Sequence, residues 1–404
     1  MAKLTPVADA LASVLDGATP LPAETVSLTD AEGRVIARDL AATRTQPPAD
    51  VSAMDGYAVR AADIATVPAR LKMIGEVPAG RPFAGEVRAG EAARIFTGGV
   101  MPSGADTVVI QEVTARDGDQ VIIEKATAHG RNVRAAGLDF KAGDVLLPAG
   151  RRLTGRDVAL AASMNHAELP VHRRPQVAIL ATGDELVPPG TEPGPGQIVY
   201  SNVFALAAVA AREGARVHDL GIVPDRLDAT IAAVRRAREA GFDVLVTAGG
   251  ASVGEYDLVQ QALAAEGLAL AFWKVALRPG KPLMSGRLGP LRVLGLPGNP
   301  VSSFVCAFLF LVPLLRRLSG RTDLHHAIES AELGRDLAAN DERADYLRAS
   351  LSLTADGRPV ATPFGLQDSS ILVNLARADC LVIREPYAPS ASAGSPCRIM
   401  RLDP

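Results

Sequence analysis

The segment Asp243-Val-Leu-Val-Thr-Ala-Gly-Gly-Ala-Ser-Val-Gly-Glu-Tyr-Asp257 predicts, in order, a buried strand, a glycine-rich turn and the beginning of a helix. Where a parallel strand ends and a helix begins, glycines let the backbone approach a ligand, and the free N–H groups of the helix attract anions. Glu255 and Asp257 follow this turn, where carboxylates can hold a divalent cation against phosphate oxygens. The segment therefore indicates a phosphorylated ligand with a metal ion, but it identifies neither.

The regions on both sides of this segment alternate between strand-like and helix-like patterns. Strands are predicted at 176–181, 216–222, 243–248 and 291–296, and helices at 202–213, 227–240, 256–266 and 300–318. Such an alternation favours a parallel sheet that helices cover on both faces. Residues 175–325 are therefore expected to form a three-layer α/β domain with a parallel-rich sheet.

The rest of the chain has a different character. Residues 5–16 carry apolar side chains on one helical face, and short apolar runs between residues 57 and 125 alternate with Pro and Gly turns. Asp117-Gly-Asp119 predicts a hairpin turn. After about residue 325 short strands return, so a small β-barrel or a sandwich is expected there.

The predicted fold class is multidomain α/β plus β, with four domains. The predicted divisions are an elongated mixed domain from 1–47 plus 135–174, a β-rich inserted domain at 48–134, the α/β domain at 175–325 and a barrel-like domain at 326–404.

Length and composition exclude several classes of protein. A chain of 404 residues favours two to four domains, and 48% apolar with 22% charged residues is typical of a folded protein. A net charge of −3 provides no electrostatic footprint for nucleic acid. The most apolar run, 304–315, is 12 residues long, whereas a membrane helix needs ~20, so no membrane span is expected.

The cysteines and the start of the chain point to the cytoplasm. Cys306, Cys380 and Cys397 are far apart and odd in number, which predicts neither a disulfide framework nor a zinc motif. The first residues contain no continuous apolar region of the kind that a signal peptide has.

Three loops in the predicted α/β domain follow strands and carry groups suited to ligand binding. They are 181–186, 249–257 and 294–300, and Asp225 follows a fourth strand. Ligands of open parallel sheets bind beyond the carboxyl ends of the strands, so these loops can meet at one crevice. Each loop alone is equally well explained by helix capping or turn formation, as with Asp184 or Pro297. Their joint occurrence in one sheet favours function.

Between these loops, 272–282 brings Lys274, Arg278 and Lys281 within eight residues. On a strand, positions 274 and 278 share a face, and Pro279-Gly280 would turn Lys281 back towards it. Cations so placed suit an oxyanion or a phosphate, although a solvated strand edge is the alternative.

The amino-terminal half offers Asp55 and Thr97, each beside glycine in a loop, and by themselves these positions read only as turns. No H-E-x-x-H spacing and no G-x-S-x-G motif occurs in the sequence, so covalent nucleophilic catalysis is disfavoured.

Taken together, the motifs resemble the molybdopterin molybdotransferase family, that is, MoeA-like proteins and the E domain of gephyrin. The matching strings are SAMDGYAV at 52–59, FTGGVMPSGADTVVIQE at 96–112, ATGDELVPPG at 181–190, GGASVGEYD at 249–257, FWKVALRPGKP at 272–282 and GLPGNPVSSF at 295–304. They occur in this order over most of the chain.

The resemblance implies a late step of molybdenum cofactor synthesis. Such enzymes take adenylylated molybdopterin and molybdate, cleave the pyrophosphate link with a divalent cation, here expected to be Mg²⁺, and release AMP. The family also implies an α/β domain of the molybdopterin-binding type and an elongated homodimer. Its cleft lies between the β-rich domain of one subunit and the α/β domain of the other.

Carried over by position, the resemblance implies a role for each candidate residue. The implied catalytic residues are Asp55, Thr97, Lys274 and Lys281, with Glu185, Asp225 and Asp257 as metal ligands. The implied substrate-binding residues are Gly249, Gly250, Ser252, Gly254, Arg278, Pro297, Gly298, Asn299, Pro300 and, more loosely matched, Ser369. Arg278 stands where a lysine is common in the family.

Two other functions stay open from the sequence. A molybdopterin adenylyltransferase shares the α/β domain, but it would not need residues 1–174. A non-catalytic molybdopterin-binding or scaffold protein, as gephyrin also is, would be expected to have a degenerate site, whereas these polar positions are filled. A preference for tungstate and a docking adenylyltransferase partner are also left open.

Overall fold

The structure of the protein, a computed structural model, describes residues 4–249 and 258–403. A six-stranded sheet forms its centre. The strands are β1 (Gln176–Thr182), β2 (Arg216–Val223), β3 (Val244–Ala248), β4 (Ala269–Trp273), β5 (Met284–Leu288) and β6 (Leu291–Leu296). Their spatial order is β2-β1-β3-β6-β5-β4. The first four strands run parallel, and β5 and β4 add an antiparallel edge.

Helices cover both faces of this sheet. They are α1 (Asn202–Arg212), α2 (Leu227–Glu239), α3 (Leu258–Ala265) and α4, which consists of α-helical Pro300–Cys306, π-helical Ala307–Leu311 and α-helical Val312–Leu318. One apolar cluster joins the sheet to α1 and α4, and a second joins its other face to α2 and α3. Every residue of β3 is buried, as expected for a parallel strand covered on both sides. The predicted three-layer α/β arrangement is confirmed.

Helix α4 is both long and apolar. It has 19 residues with a mean hydropathy of 1.8, so by length and composition it could cross a membrane. The sequence analysis counted only its uninterrupted apolar run and therefore took it to be too short. In the folded protein 83% of this stretch is buried against the sheet and the barrel, which is the environment of a core helix.

The chain before the central sheet forms two α-helices, several small strand pairs and a second sheet. The pairs are Ala23–Ser27 with Glu168–His172, Leu40–Ala41 with Val145–Leu147, and Val51–Ser52 with Val133–Arg134. The helices are Val7–Leu15 and Gly155–Ser163, and the short 3₁₀ turns are Leu28–Asp30, Ala61–Ile64 and Gln111–Val113. Thr154 and Asp157 cap the second helix reciprocally, which fixes where it begins.

The second sheet confirms the strand-rich character predicted for residues 57–125. Its strands are Gly56–Val59, Ala69–Val77, Glu91–Ile95, Thr107–Ile110, Thr114–Asp117 and Gln120–Ile123. Asp117 pairs with Gln120 across a two-residue turn in which Gly118 has φ +60°, so the predicted hairpin is confirmed.

The carboxyl-terminal strands close into a small barrel. They are Glu329–Leu333, Ala344–Leu353, Pro359–Pro363, Cys380–Arg384 and Pro396–Arg401, with a short helix at Leu372–Ala376. The long strand Ala344–Leu353 pairs with both Pro359–Pro363 and Cys380–Arg384, which completes the ring. Of the two predicted alternatives, the barrel is confirmed. The three cysteines are free. The residue numbers at which the four domains divide stay a prediction.

The prediction that Lys274 and Arg278 share one face of a single strand is wrong. Strand β4 ends at Trp273, Lys274 has φ +79°, and a separate two-residue strand, Leu277–Arg278, pairs with the barrel instead. Because Lys274 has a left-handed backbone conformation, it interrupts the regular alternation of side chains along a strand, and positions 274 and 278 cannot be assigned to one face by that alternation. The predicted reversal at Pro279-Gly280 does occur, because the Val275 amide donates to the Lys281 carbonyl at 3.0 Å.

Candidate functional site

Three loops meet at the carboxyl ends of β1, β3 and β6. A Cβ placed on Gly249 would lie 3.3 Å from the Thr182 carbonyl oxygen, and one placed on Gly298 would lie 3.7 Å from the Gly249 Cα. Gly249 also has φ +98°, a conformation that favours glycine. The glycines of the sequence motifs therefore let three backbone segments pack closely at one edge of the sheet, as predicted from the strand pattern.

A cavity of about 850 Å³ opens at this edge. Among its lining residues are the predicted site residues Glu185, Asp225, Gly249, Pro297, Gly298, Asn299 and Pro300. Helices α1 and α4 both begin at the cavity, with Asn202 and Pro300 in its wall. Because the first N–H groups of a helix have no intrahelical acceptor, these two ends favour an anionic ligand.

The acidic wall of the cavity is made by the loops after β1 and β2. The Asp225 amide donates to the Asp184 carboxylate at 3.1 Å, and the Asp184 amide donates to that of Asp225 at 3.4 Å. This exchange fixes the two loops together and leaves Glu185 and Asp225 exposed at the cavity. Within residues 4–249 and 258–403, including this wall, no group of three His, Cys, Asp or Glu side chains is arranged to hold a metal ion.

Part of the predicted site lies outside the described residues. These positions are Gly250, Ser252, Gly254, Glu255 and the predicted metal ligand Asp257. Their roles stay a prediction.

The barrel contributes a segment to the opposite wall. The Asn299 side-chain amide donates to the Ser369 hydroxyl at 3.0 Å, and the Val301 amide donates to the Ser369 carbonyl at 3.1 Å. Ser370 and Leu372, which follow directly, line the cavity. The loosely matched Ser369 therefore lies beside the cavity, bonded to a loop that forms it.

Residues 274–281, the cationic loop, lie next to the cavity in sequence, but Lys274, Arg278 and Lys281 are not among its lining residues. Pro282 lines the cavity directly after Lys281, which is exposed. The Lys274 ammonium lies 4.8 Å from the ring centroid of Trp273, over its face. Arg278 differs from the two lysines because its guanidinium forms ion pairs with Asp341 and Asp345 of the barrel.

Asp55 and Thr97 form a separate unit on the second sheet. The Asp55 carboxylate accepts from the Thr97 amide at 2.7 Å and from the Thr97 hydroxyl at 2.8 Å. These bonds, the amide first, and the nearby charge of Arg94 hold the pKa of Asp55 below its usual range. Of the described residues that line the cavity, none comes from 48–134. Within one chain the Asp55–Thr97 unit and the cavity are thus apart.

Comparison with known proteins accounts for almost the whole chain. Three family models match it in succession: "MoeA N-terminal region (domain I and II)" at residues 5–165, "Probable molybdopterin binding domain" at 178–317, and "MoeA C-terminal region (domain IV)" at 330–402. The chain is similar to the molybdopterin molybdenumtransferase of Nostoc sp., with 37% identity over 94% of this chain and 88% of the relative. The chain belongs to the MoeA family.

Further MoeA relatives agree in sequence and in shape. The molybdopterin molybdenumtransferase of Haemophilus influenzae is 34% identical over 93% of each chain. A crystal structure of the molybdopterin biosynthesis MoeA protein from Pyrococcus horikoshii superposes with a TM-score of 0.86 at 31% identity, covering both chains completely. As a MoeA-family protein, the chain is a transferase of molybdenum cofactor biosynthesis.

The sequence analysis missed one segment of the MoeA-family cavity. Residues 198–202 line it, and the Asn202 side-chain amide donates to the Gly298 carbonyl at 2.7 Å. The Tyr200 hydroxyl donates to Asp219 at 2.9 Å, and burial, with this hydrogen bond, raises the pKa of Tyr200. The available signal was Ser201-Asn202, a pair of residues typical of helix starts, directly before the predicted helix at 202.

Proposed function

We propose that this protein is a molybdopterin molybdotransferase, which inserts molybdate into adenylylated molybdopterin, cleaves the pyrophosphate link and releases AMP. The observation that carries the proposal is the cavity at the carboxyl ends of β1, β3 and β6 in a chain of the MoeA family. That cavity combines close-packed glycines, exposed carboxylates and two helix amino termini, a combination suited to a phosphorylated ligand.

The dimensions of the cavity suit such a substrate. A volume of about 850 Å³ is near the upper end of the range for small-molecule pockets, and a pterin joined to a nucleotide is a large ligand. Gly249, Pro297, Gly298, Asn299 and Pro300 would bind it through the backbone and the Asn299 amide, with Ser369 supporting Asn299. Gly250, Ser252 and Gly254 complete the proposed substrate-binding set.

The donor set fits Mg²⁺. This ion prefers oxygen ligands and usually takes one or two carboxylates, with substrate phosphates and water as the remaining ligands. Glu185 and Asp225 would supply those carboxylates, together with Asp257. When bound, the ion would neutralise charge on the pyrophosphate oxygens.

The cationic loop and the Asp55–Thr97 unit would complete the site. Lys274 and Lys281 would neutralise molybdate and phosphate charge, which is the main requirement for breaking a pyrophosphate link. Asp55 and Thr97 would come from the partner subunit of a homodimer, because within one chain they lie apart from the cavity. The protein would work in the cytoplasm and could receive its substrate from an adenylyltransferase.

The test is AMP release from adenylylated molybdopterin with Mg²⁺, with and without molybdate. We expect molybdate-dependent release and a metal-loaded pterin as the product. Release should fall by at least about 100-fold in Glu185→Gln or Asp225→Asn, because each removes a charge aligned with the reacting phosphates. Asp228→Asn is the matched control, since Asp228 is an exposed carboxylate that pairs with Arg226 and lies outside the cavity lining.

Other outcomes would redirect the proposal. Adenylylation of free molybdopterin from ATP would establish the adenylyltransferase alternative. Tight pterin binding without any AMP release would indicate a carrier or scaffold. Incorporation of oxygen-18 from labelled molybdate into AMP would show that a molybdate oxygen attacks the pyrophosphate, and label arriving only from water would refute that step.

A further inference from the structure

The cationic loop 274–281 is held by backbone bonds from two distant parts of the chain. The Thr5 amide donates to the Lys274 carbonyl at 3.1 Å, and the Ala344 amide donates to the Ala276 carbonyl at 2.9 Å. Strand Leu277–Arg278 pairs in parallel with Ala344–Asp345, so the loop forms part of the barrel sheet. The barrel is therefore physically continuous with the loop that carries the lysines.

The loop needs such support because its backbone is strained at Lys274. A non-glycine residue with φ +79° is energetically unfavourable and persists only where its surroundings hold it. Besides the bond from Thr5, the Lys274 amide donates to the Leu283 carbonyl at 3.0 Å. The direction of the Lys274 side chain thus depends on what fixes residues 275–283.

Arg278 joins this loop to two carboxylates of the barrel. Its Nη2 contacts the Asp341 carboxylate. Its Nε lies 3.3 Å from Asp345 Oδ1, an ion pair without hydrogen-bond geometry, because neither of these two buried atoms has a hydrogen-bond partner in the described part of the chain. Asp345 is 6% exposed, and burial raises its pKa while the Arg278 charge opposes that rise. Arg343 donates to Asp341 at 2.7 Å and, with Arg278, lowers the pKa of Asp341 to about 2. Arg278 therefore compensates a buried carboxylate.

The two lysines are in a different electrostatic situation. Within residues 4–249 and 258–403, neither Lys274 nor Lys281 has a carboxylate within ion-pair distance. In that part of the chain no carboxylate offsets the lysine charges, whereas two carboxylates offset the charge of Arg278. Two of the three guanidinium nitrogens of Arg278 face Asp341 and Asp345, so an oxyanion bound to Arg278 would share its charge with two carboxylates. Removing Arg278 would leave the buried Asp345 without this partner, which is costly.

We infer that Arg278 is a positioning residue, which uses Asp345 and Asp341 of the barrel to hold the loop that presents Lys274 and Lys281 to the anionic substrate. The identity of the substrate in this inference rests on the proposed function, whereas the link between Arg278 and the barrel rests on the structure alone. It departs from the sequence-based expectation that Arg278 itself binds substrate.

The test is a double-mutant cycle between Arg278→Gln and Asp345→Asn, read out by molybdate-dependent AMP release. Each single substitution should raise the KM for molybdate about tenfold, with a smaller effect on kcat. The double variant should have a KM similar to that of either single variant, because the effects of two substitutions that break the same contact are not additive. Arg278→Lys should recover most of the loss. Asp341→Asn, at a more exposed position, should give the same direction of change if Asp345→Asn fails to fold.

A second readout keeps the inference separate from the proposed function. Amide hydrogen exchange at Lys274 and Val275 should accelerate to a similar extent in Arg278→Gln and Asp345→Asn, whether or not the wild type releases AMP. Arg173→Gln is the matched control, because it breaks an ion pair with Asp243 at the opposite end of β3 and should leave exchange in the loop unchanged. The inference would be overturned if Asp345→Asn kept the wild-type KM and the wild-type exchange rates while Arg278→Gln lost activity. That result would show that Arg278 binds the substrate directly.

Discussion

Replacing Gly280 with alanine tests the packing under the cationic loop. A Cβ at this position would lie 2.4 Å from the Cys306 Sγ and 3.1 Å from a Leu277 methyl carbon, and Gly280 has φ +122°. Cys306 lies in helix α4 and is completely buried, so the contact has little room to relax. Gly280→Ala should therefore be destabilising for two separate physical reasons.

The magnitude follows from adding these two effects. The backbone conformation costs an alanine roughly 1–3 kcal/mol. Overpacking a filled interior costs a further ~1–3 kcal/mol. The free energy of unfolding should thus fall by about 2–6 kcal/mol in Gly280→Ala. Cys306→Ala in the same chain removes the closest atom, so the double variant should recover the steric part and retain the backbone part.

Urea unfolding followed by tryptophan fluorescence measures these changes in the free energy of unfolding. Trp273 is the one tryptophan in the sequence, and it ends the strand before the cationic loop. Gly241→Ala is the matched control: Gly241 has φ +72° but no atom within 4 Å of an added Cβ, so it reports backbone strain alone. If Gly280→Ala were no more destabilising than Gly241→Ala, or if Cys306→Ala gave no recovery, the steric argument would be wrong.

Three further predictions concern charge. Thr97→Val should raise the pKa of Asp55 towards its ordinary value, because it removes the hydroxyl donor and leaves the amide; a carboxyl-carbon NMR titration measures this. Glu213→Gln should lower the free energy of unfolding by about 3–5 kcal/mol, since it leaves the largely buried Arg316 without a carboxylate, whereas Arg321 retains Asp323. Burial lowers the pKa of His326 to about 4, so as the pH falls the unfolded chain binds a proton at this residue before the folded chain does. The free energy of unfolding should therefore decrease between about pH 6.5 and about pH 4, by about 2 kcal/mol at pH ~5. Urea unfolding of His326→Gln should show a smaller decrease over the same pH range.

Matched controls exist for each of these changes. Thr114→Val removes a hydroxyl from the same sheet without a carboxylate partner and should leave the Asp55 titration unchanged. Asp117→Asn breaks a pair with Arg70 whose side chains are 63% and 57% exposed, so its effect should stay below about 1 kcal/mol. His129 is 79% exposed and serves as the control for His326→Gln, so His129→Gln should change the free energy of unfolding at neutral pH by less than about 1 kcal/mol. An equal effect of a control and its test variant would contradict the corresponding argument.

The sequence was sufficient for elements whose pattern is local. Strand β3, the hairpin at Asp117 and helix α1 follow from apolar runs, turn residues and helical periodicity, each of which acts within a few positions. The meeting of the loops after β1, β3 and β6 was also predictable, because parallel strands place their carboxyl ends at one edge. The family strings then identified the chemistry that such an edge serves.

Only the tertiary structure decided how the cations are used. Local spacing placed Lys274 and Arg278 on one face of a strand, but the strand ends at Trp273 and Lys274 has a left-handed φ. Backbone bonds from Thr5 and Ala344, which are distant in sequence, hold this loop. Those contacts carry no signal near residue 274, since a hydrogen bond between distant backbone groups depends on topology and not on neighbouring side chains. For the same reason the pairing of Arg278 with the barrel, which separates its role from that of the lysines, could be found only in the folded chain.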